Sequence, residues 1–344
     1  MRFGINNPAW LQAAGNAGTE KEYFYIRSLA DANEVTFANT KLGAFADNLK
    51  YSLDGKSWSQ LSADDVITLN SGESIIFRNP SNTVYNLEAG TNVVKTSDEY
   101  EVGGDIIQLF YPGVELPALA FQQAFGDDDF IHSASDLKLP ATVLAESCYN
   151  SMFSGCTGLT AAPELPATAL DGYCYYSMFY GCTGLTAALE LPATALAEYC
   201  YHSMFSGCTG LTAAPELHAQ ALAENCYRDM FEGCTGLTAA PELPATTLAE
   251  YCYHSMFYGC TGLTAAPELP ATVLAENCYR YMFYGCTGLT EITCLASSVI
   301  ESATDNWLGD VAASGTFTKA ADMGNWPEGA SGIPTGWTVQ DYAG

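Results

Sequence analysis

Thirteen cysteines are the residues of this chain with the most obvious capacity for chemistry. Twelve of them form two series with a spacing of 26 residues, beginning at Cys148 and Cys156, and the thirteenth is Cys294. Thiols can form disulfides, bind metals or act as nucleophiles. The count is odd, however, and neither CxxC pairs nor histidine partners, the usual signs of a metal site, accompany these cysteines. We therefore expect buried free thiols that pack as small apolar groups, with no metal and no cofactor.

The four histidines do not add a reaction centre. His202 and His254 occupy equivalent positions two repeats apart, which at a strand spacing of about 4.8 Å separates them by roughly 10 Å, too far for one metal ion. The chain has no phosphate-binding glycine loop, zinc-protease helix or nucleophile elbow. The sequence therefore predicts no catalytic residues, and an enzymatic function has no positive support.

The cysteine spacing belongs to a repeat of 26 residues that runs from Leu139 to Thr290 in six copies. A fixed period of this size is typical of a solenoid, in which each repeat packs on its neighbours. Cys148, Tyr149, Met152 and Phe153 have identical counterparts in every later copy. These positions fall on one face of a short amphipathic helix, and the changing positions between them fall on the other face.

The remainder of each repeat predicts a turn and a strand. Gly155 is expected to end the helix with a positive φ. Alternation in Gly158–Leu165 indicates a short parallel strand, and Pro163 marks the end of that strand because proline cannot donate to a ladder.

The motifs MFSGCTGLT (Met152–Thr160) and LPATVL (Leu139–Leu144), with their copies, resemble the BspA-like leucine-rich repeats of surface proteins from Bacteroides-type bacteria. The resemblance covers roughly residues 115–320. It implies an α/β leucine-rich-repeat solenoid of six 26-residue repeats plus degenerate caps. It also implies a recognition role, since similar proteins include adhesins that bind host matrix proteins or other bacteria. Similar repeats occur in phage and prophage tail-associated proteins.

The segments outside the repeats divide into four parts. Residues 1–20 are expected to be a leader or attachment arm, and residues 113–138 a degenerate N-terminal cap repeat before the leucine-rich repeats of 139–290. Residues 291–344 form the C-terminal cap, because terminal repeats of a solenoid must be atypical. The triplet Asp127–Asp129 in the first cap could bind calcium or could be a solvated loop.

Residues 21–112 predict an all-β sandwich domain. Short runs rich in β-branched and aromatic residues alternate with turn signals, including Asp54-Gly55 between two such runs. Trp58 and Tyr51 could stack on a sugar ring or could belong to the core.

Composition limits the partners. The 344 residues include 39 acids and 12 bases, for a formal charge of −27. An acidic chain is unsuited to nucleic acid, which requires neutralisation of phosphates, and no apolar run is long enough to span a membrane. Residues 1–20 lack the pattern of a signal peptide. We expect an extracellular, cell-surface or virion location, with an oligomeric state that the sequence leaves open.

Two surfaces of the solenoid are candidates for binding a surface protein or glycan receptor. One is the edge that carries Glu164 and its copies, which could attract a cation or a basic partner or could simply be solvated. The other is the outer face of the predicted helices, where tyrosine and arginine, both favoured in binding hot spots, occupy the changing positions. The candidate binding residues on this face are Tyr173, Tyr176, Tyr180, Tyr199, His202, Arg228, Tyr251, His254, Tyr258, Arg280, Tyr281 and Tyr284. The expected function is non-enzymatic recognition or adhesion, with a phage tail-associated structural or receptor-binding component as the alternative.

Overall fold

A computed structural model describes residues 23–36, 49–62, 65–80, 94–112, 115–187, 189–298, 301–324 and 326–343. The predicted leader of residues 1–20 lies outside the described residues. Among these described residues, the N-terminal part contains nine strands and one short helix, α1 (Ile106–Phe110). The strands are β1 (Phe24–Ser28), β2 (Asn33–Thr36), β3 (Lys50–Ser52), β4 (Ser59–Gln60), β5 (Val66–Leu69), β6 (Ser74–Arg78), β7 (Lys95–Thr96), β8 (Tyr100–Asp105) and β9 (Ile131–Lys138).

These strands form a six-stranded mixed sheet of order β4-β3-β6-β1-β8-β9 and a three-stranded antiparallel sheet of order β5-β2-β7. Burial alternates along β1, where Phe24 and Ile26 face the core and Tyr25 and Arg27 are half-exposed. This is the period of two that a half-buried strand requires. The mostly-β character predicted for residues 21–112 is confirmed for the described residues.

Strand β9 connects the N-terminal sheet to the repeats. It pairs in parallel with β8, and its Ser133 forms a parallel bridge with Ala161 of the first repeat. The amide of Ala134 also donates to the carbonyl of Ala161 at 2.8 Å. The sheet therefore continues into the solenoid through backbone hydrogen bonds.

The predicted helix of each repeat is wrong: residues 147–156 and their equivalents, here called the turn segments, form consecutive turns. The amide of Met152 donates to the carbonyl of Tyr149, three residues earlier, at 3.2 Å. The next amide, of Phe153, donates to the carbonyl of Met178 in the following repeat at 2.9 Å. Along the segment, one amide donates within its own segment and the next donates to the adjacent repeat. In a helix, all of these amides would donate to carbonyls of the same segment.

Two features of the turn segments exclude a helix. Ser147 and Ser151 have φ values of 59° and 54°, a region that right-handed helices do not contain. The rings of Phe153 and Phe179, one repeat apart, stack with centroids 5.6 Å apart. A helix with its side chains is about 10–12 Å wide, so helices could not stack at this spacing. The predicted positive φ at Gly155, 79°, is confirmed.

In the described residues of the repeats, an extended parallel ladder forms towards the C-terminal end. Its strands are β10 (Ala265–Leu269), β11 (Glu291–Cys294), β12 (Thr316–Lys319) and β13 (Thr338–Asp341), paired in that order. Earlier repeats make sparser contacts on this side: the amide and hydroxyl of Thr212 both donate to the carbonyl of Thr186, at 3.3 and 3.2 Å. The predicted end of the strand at proline does not hold in β10, which contains Pro267 and shifts its register against β11 between Ala265 and Glu268. The coarser prediction, a solenoid of 26-residue repeats with parallel strands, agrees with the structure.

Both ends of the solenoid carry atypical turns. At the N-terminal end, Phe121 stacks on Tyr149 at 5.9 Å and Phe125 stacks on Phe153 at 5.2 Å. At the C-terminal end, Trp307 continues the tyrosine stack at 6.1 Å from Tyr279 and is covered by Trp326 at 5.5 Å. The indole of Trp337 is buried and donates to the carbonyl of Ala312 at 2.8 Å. These aromatic side chains cover the ends of the apolar core.

The second glycine of each GCTG motif lets adjacent repeats approach closely. A Cβ atom added at Gly210 would lie 2.5 Å from the carbonyl oxygen of Thr183 in the preceding repeat. We expect Gly210→Ala to lower the free energy of unfolding by about 1–3 kcal/mol, because the backbones would have to separate. Gly324→Ala is the matched control, since nothing lies within 4 Å of the added atom. Denaturant unfolding measures both, and equal losses would contradict the close-approach explanation.

Candidate functional site: the outer surface of the turn segments

All thirteen cysteines are buried and free, as predicted. The second thiol of each repeat is a hydrogen-bond donor: Cys208 Sγ donates to the carbonyl of Phe179 at 3.0 Å, and Cys234 Sγ donates to that of Phe205 at 3.0 Å. Burial raises the pKa of the Cys234 thiol to about 12. A thiol with a raised pKa and no solvent access is a poor nucleophile, so these cysteines are part of the packing.

The changing positions of the turn segments form one outer surface, on the side opposite the buried Cys-Tyr and Met-Phe pairs. The structure places all twelve candidate binding residues there. Tyr173, Tyr180 and Tyr258 are exposed, whereas His202 is buried. Ring and ion contacts connect the residues other than Tyr180 into a continuous network, and its geometry has three parts.

The first part, the N-terminal aromatic cluster, comprises Tyr173, Tyr176, Tyr199 and His202. The rings of Tyr173 and Tyr199 stack with centroids 4.7 Å apart, and those of Tyr176 and His202 stack at the same distance. Tyr199 also lies 5.5 Å from His202. Because the same position recurs in every repeat, tyrosines that are 26 residues apart in sequence become face-to-face neighbours.

The second part is a charged centre around Asp229. Its carboxylate lies 3.4 Å from His202 Nε2 of the preceding repeat and 3.6 Å from His254 Nδ1 of the following repeat, and Arg228 Nε lies 3.2 Å away. Burial lowers the pKa of His202 to about 4, so this ring is neutral near pH 7. Burial alone would raise the pKa of Asp229, but the contacts with His254 and Arg228 hold it below its usual value. The centre therefore carries an ionised carboxylate held between two imidazoles.

The third part, the C-terminal aromatic cluster, comprises Tyr258, Tyr281 and Tyr284. Tyr258 and Tyr284 stack at 5.1 Å, and Tyr281 meets Tyr284 edge-on at 5.8 Å with an interplanar angle of 73°. These rings, with Glu232 and Asn306, line an open depression of about 410 Å³. Burial and the nearby Asp229 raise the pKa of Glu232. The depression combines apolar ring surface with polar groups at its rim.

The remaining candidate residues join these parts. The guanidinium of Arg228 lies 5.6 Å from the ring centroid of Tyr251, and that of Arg280 lies 5.2 Å from the centroid of Tyr281. Arg280 also pairs with Asp305 of the C-terminal cap at 3.3 Å. The candidate set did not include Asn306, which comes from that cap. Asn306 has a φ of 51°, close to the positive φ values of the turn segments, and this shared conformation relates it to the repeats.

Several alternative sites have a structural explanation. In the aspartate triplet, Asp128 accepts a hydrogen bond from the Tyr100 hydroxyl at 2.8 Å and Asp129 accepts one from Thr157 at 2.6 Å, so both carboxylates tie the first cap to neighbouring elements. These hydrogen bonds do not support the interpretation of the triplet as a calcium site. Tyr51 packs against the core, and the ring of Trp58 lies under the guanidinium of Arg78 at 3.9 Å.

Among the residues that the structure describes, histidine, cysteine, aspartate and glutamate nowhere form a group of three that could hold a metal ion. In the same described part of the chain, none of the helices combines the length and apolar character needed to cross a membrane.

Comparison with known proteins gives no relative. The chain matches no protein-family description, no curated protein and no solved structure.

Proposed function

We propose that this protein is a non-enzymatic recognition protein of a cell or virion surface, and that the outer surface of its turn segments binds a surface protein or glycan. The observation that supports this is the contrast between the two sides of one segment. The inner residues are identical in six copies, whereas the outer residues differ and bring tyrosine, histidine and arginine into contact. Solenoids commonly bind through such extended regular surfaces.

The chemistry of the surface supports binding over catalysis. Tyrosine and arginine concentrate binding energy because they combine apolar area with hydrogen-bonding ends. The thiols, which would be the strongest nucleophiles, are buried with raised pKa values. The resemblance to BspA-like leucine-rich repeats, through the MFSGCTGLT motif, points to the same kind of role.

The C-terminal aromatic cluster is the part of this surface that we expect to contribute most affinity. It combines two stacked rings, a perpendicular third ring and a depression. A depression increases the contact between a partner's side chain and these rings, and well-packed central contacts contribute most to binding hot spots. The charged centre beside it would set orientation, because charge complementarity contributes specificity and association rate.

The test uses the intact chain on an array of surface proteins and glycans, followed by affinity measurement for the strongest partner. The variant Tyr258→Ser/Tyr281→Ser/Tyr284→Ser is expected to weaken binding by about 10- to 100-fold, the loss typical of hot-spot residues. The control is Val143→Ser/Val273→Ser, which changes exposed apolar residues outside the turn segments. Equal affinity of both variants and the unmodified chain would remove this surface as the binding site.

A further inference from the structure

A second candidate site lies where the six-stranded sheet meets the first repeat, away from the outer surface of the turn segments. An open cavity of about 620 Å³ occupies this junction. Its lining residues come from β1, β6, β8 and β9, from the start of the first repeat, and from the boundary between the first and second repeats. Those that carry the argument are Tyr25, Arg27, Ser74, Asp136, Lys138 and Glu164.

The floor of the cavity is a row of paired residues across the sheet. Tyr25 is opposite Ile76 on one side and Gly103 on the other, and Gly103 is opposite Asp136. A Cβ atom at Gly103 would lie 2.3 Å from the Tyr25 ring, so glycine is required for the ring to lie across this strand. The Tyr25 hydroxyl then donates to Asp136 Oδ2 at 2.9 Å. This row presents a fixed aromatic ring beside a fixed carboxylate.

The cavity wall contains a buried hydroxyl. Ser74 is 3% exposed, and its Oγ has no hydrogen-bond partner among the residues that the structure describes. A buried polar atom left without a hydrogen bond is destabilising. The same wall contains Arg27, whose guanidinium pairs with Glu101 at 3.4 Å and lies 5.1 Å from the centroid of the Tyr25 ring. A hydroxyl-bearing ligand in the cavity could satisfy Ser74.

The charges of the lining balance. Among the lining residues, the two cations Arg27 and Lys138 are matched by the two anions Asp136 and Glu164. The ion pair of Arg27 with Glu101 lies beside this lining and makes the surroundings no more cationic. Burial and the hydrogen bond to Asp136 raise the pKa of Tyr25, so its phenol stays neutral. A lining without net charge gives no advantage to a phosphate or a strongly cationic ligand.

The position of the cavity within the sheet disfavours an extended peptide. Addition of a peptide strand requires an exposed sheet edge. The strands that line the cavity are β1, β6, β8 and β9, and β9 is already paired with β8 and bridged to Ala161. One side of β9 is therefore paired with β8 and the other is bridged to the first repeat at Ser133, which leaves less free edge for a peptide than a sheet edge in solvent would.

We propose that this junction cavity binds a short uncharged saccharide. The apolar face of a sugar ring would pack on the apolar lining, which includes Ile76 and Leu137, and beside the Tyr25 ring that Arg27 partly covers. The sugar hydroxyls would bond to Ser74, Asp136 and Arg27, because carboxylates accept and guanidinium groups donate in fixed directions. A cavity that combines apolar walls with a few placed polar groups is the usual form of a small-ligand site.

The test is an array of uncharged, sialylated and sulfated oligosaccharides probed with the intact chain, followed by calorimetric titration of the strongest binder. Ser135→Trp places a large ring at an exposed lining position and is expected to weaken binding at least about tenfold by occupying the cavity. Ser74→Ala removes the unpaired hydroxyl and is expected to weaken binding about three- to tenfold, the effect of one hydrogen bond. The matched control is Val273→Trp, an exposed position outside the cavity, with affinity expected to be unchanged.

Three results would overturn the saccharide site: no bound oligosaccharide, selection of only sialylated or sulfated ones, or unchanged affinity in Ser135→Trp and Ser74→Ala. The tyrosine variant of the outer surface separates this proposal from the proposed function. If that variant alone loses binding to the saccharide, the sugar occupies the outer surface and the junction cavity is not its site.

Discussion

Raising the pH above about 9 is expected to unfold this protein cooperatively, because its cysteine thiols ionise readily in the unfolded chain but not while they are buried in the folded one. Burial raises the pKa of Cys200, Cys252 and Cys294 to about 12, from an ordinary value of 9.0. Below about pH 9 these thiols are protonated in both the folded and the unfolded chain and do not affect the balance. Above it the unfolded chain releases protons that the folded chain retains, so stability falls as pH rises from about 9 to about 12.

The size of this effect follows from the number of thiols. Each contributes roughly 1.4 kcal/mol per pH unit within the window. The thiols with a pKa raised to about 12 are Cys174, Cys200, Cys234, Cys252, Cys286 and Cys294. Together they would remove about 8 kcal/mol per pH unit, against a typical total stability of about 5–15 kcal/mol. Unfolding is therefore expected within about one to two pH units above 9.

Two signals followed in parallel test the alkaline transition in the presence of a reducing agent. Circular dichroism reports the fold, and ultraviolet absorbance reports thiolate formation. The two transitions are expected to coincide, and iodoacetamide is expected to leave the thiols unmodified near pH 8 until denaturant is added. In the Cys200→Ala/Cys252→Ala variant, the free energy of unfolding should fall less steeply with pH, because two titrating thiols are removed. Thiolate formation near pH 9 with the fold retained would contradict the prediction.

The inward and outward sides of the turn segments could be predicted from the sequence, although their conformation could not. Cys148, Tyr149, Met152 and Phe153 are all buried, as their constancy among repeats indicates. In the structure the inward pairs recur every four residues, whereas a helix has 3.6 residues per turn. Over the nine residues from Cys148 to Cys156 these periods differ by less than one residue, so the pattern alone could not separate them.

A second signal in the sequence does separate them. Identical aromatic residues at one position of every repeat must lie one above another, and strands that pair do so at about 4.8 Å. Helices about 10–12 Å wide would force the repeats apart on one side. The observed ring separations, 5.8 Å for Tyr201 and Tyr227 and 5.8 Å for Phe205 and Phe231, show that the turn segments remain close.

The candidate binding surface could be predicted from the sequence for the same reason as the core, namely the repeat. Equivalent positions of a repeat become neighbours, so Tyr258 and Tyr284 could be paired by arithmetic alone. The junction cavity could not be found in this way. Tyr25 and Asp136 are 111 residues apart, and no periodicity relates them. Only the pairing of β1 with β8 and of β8 with β9 brings them together.

Truncation of one ring in the middle of the phenylalanine stack is expected to destabilise the whole solenoid. Phe205 is fully buried and stacks on Phe179 at 5.7 Å and on Phe231 at 5.8 Å. Phe205→Ala removes both ring contacts and leaves a cavity, so we expect a loss of about 3–5 kcal/mol in the free energy of unfolding. Because repeats are stabilised mainly by their interfaces with neighbours, a central loss also weakens the coupling between the two halves.

Denaturant unfolding of Phe205→Ala, followed by circular dichroism, measures both consequences. The matched control is Tyr180→Ala, which removes an aromatic ring that is half exposed and is expected to change stability by about 0.5 kcal/mol or less. A broadened or two-step transition in Phe205→Ala would indicate that the halves have become separable. Similar stability of the two variants would show that the stacked rings are not the principal support of the repeats, and the backbone bonds between turn segments would then have to supply that support.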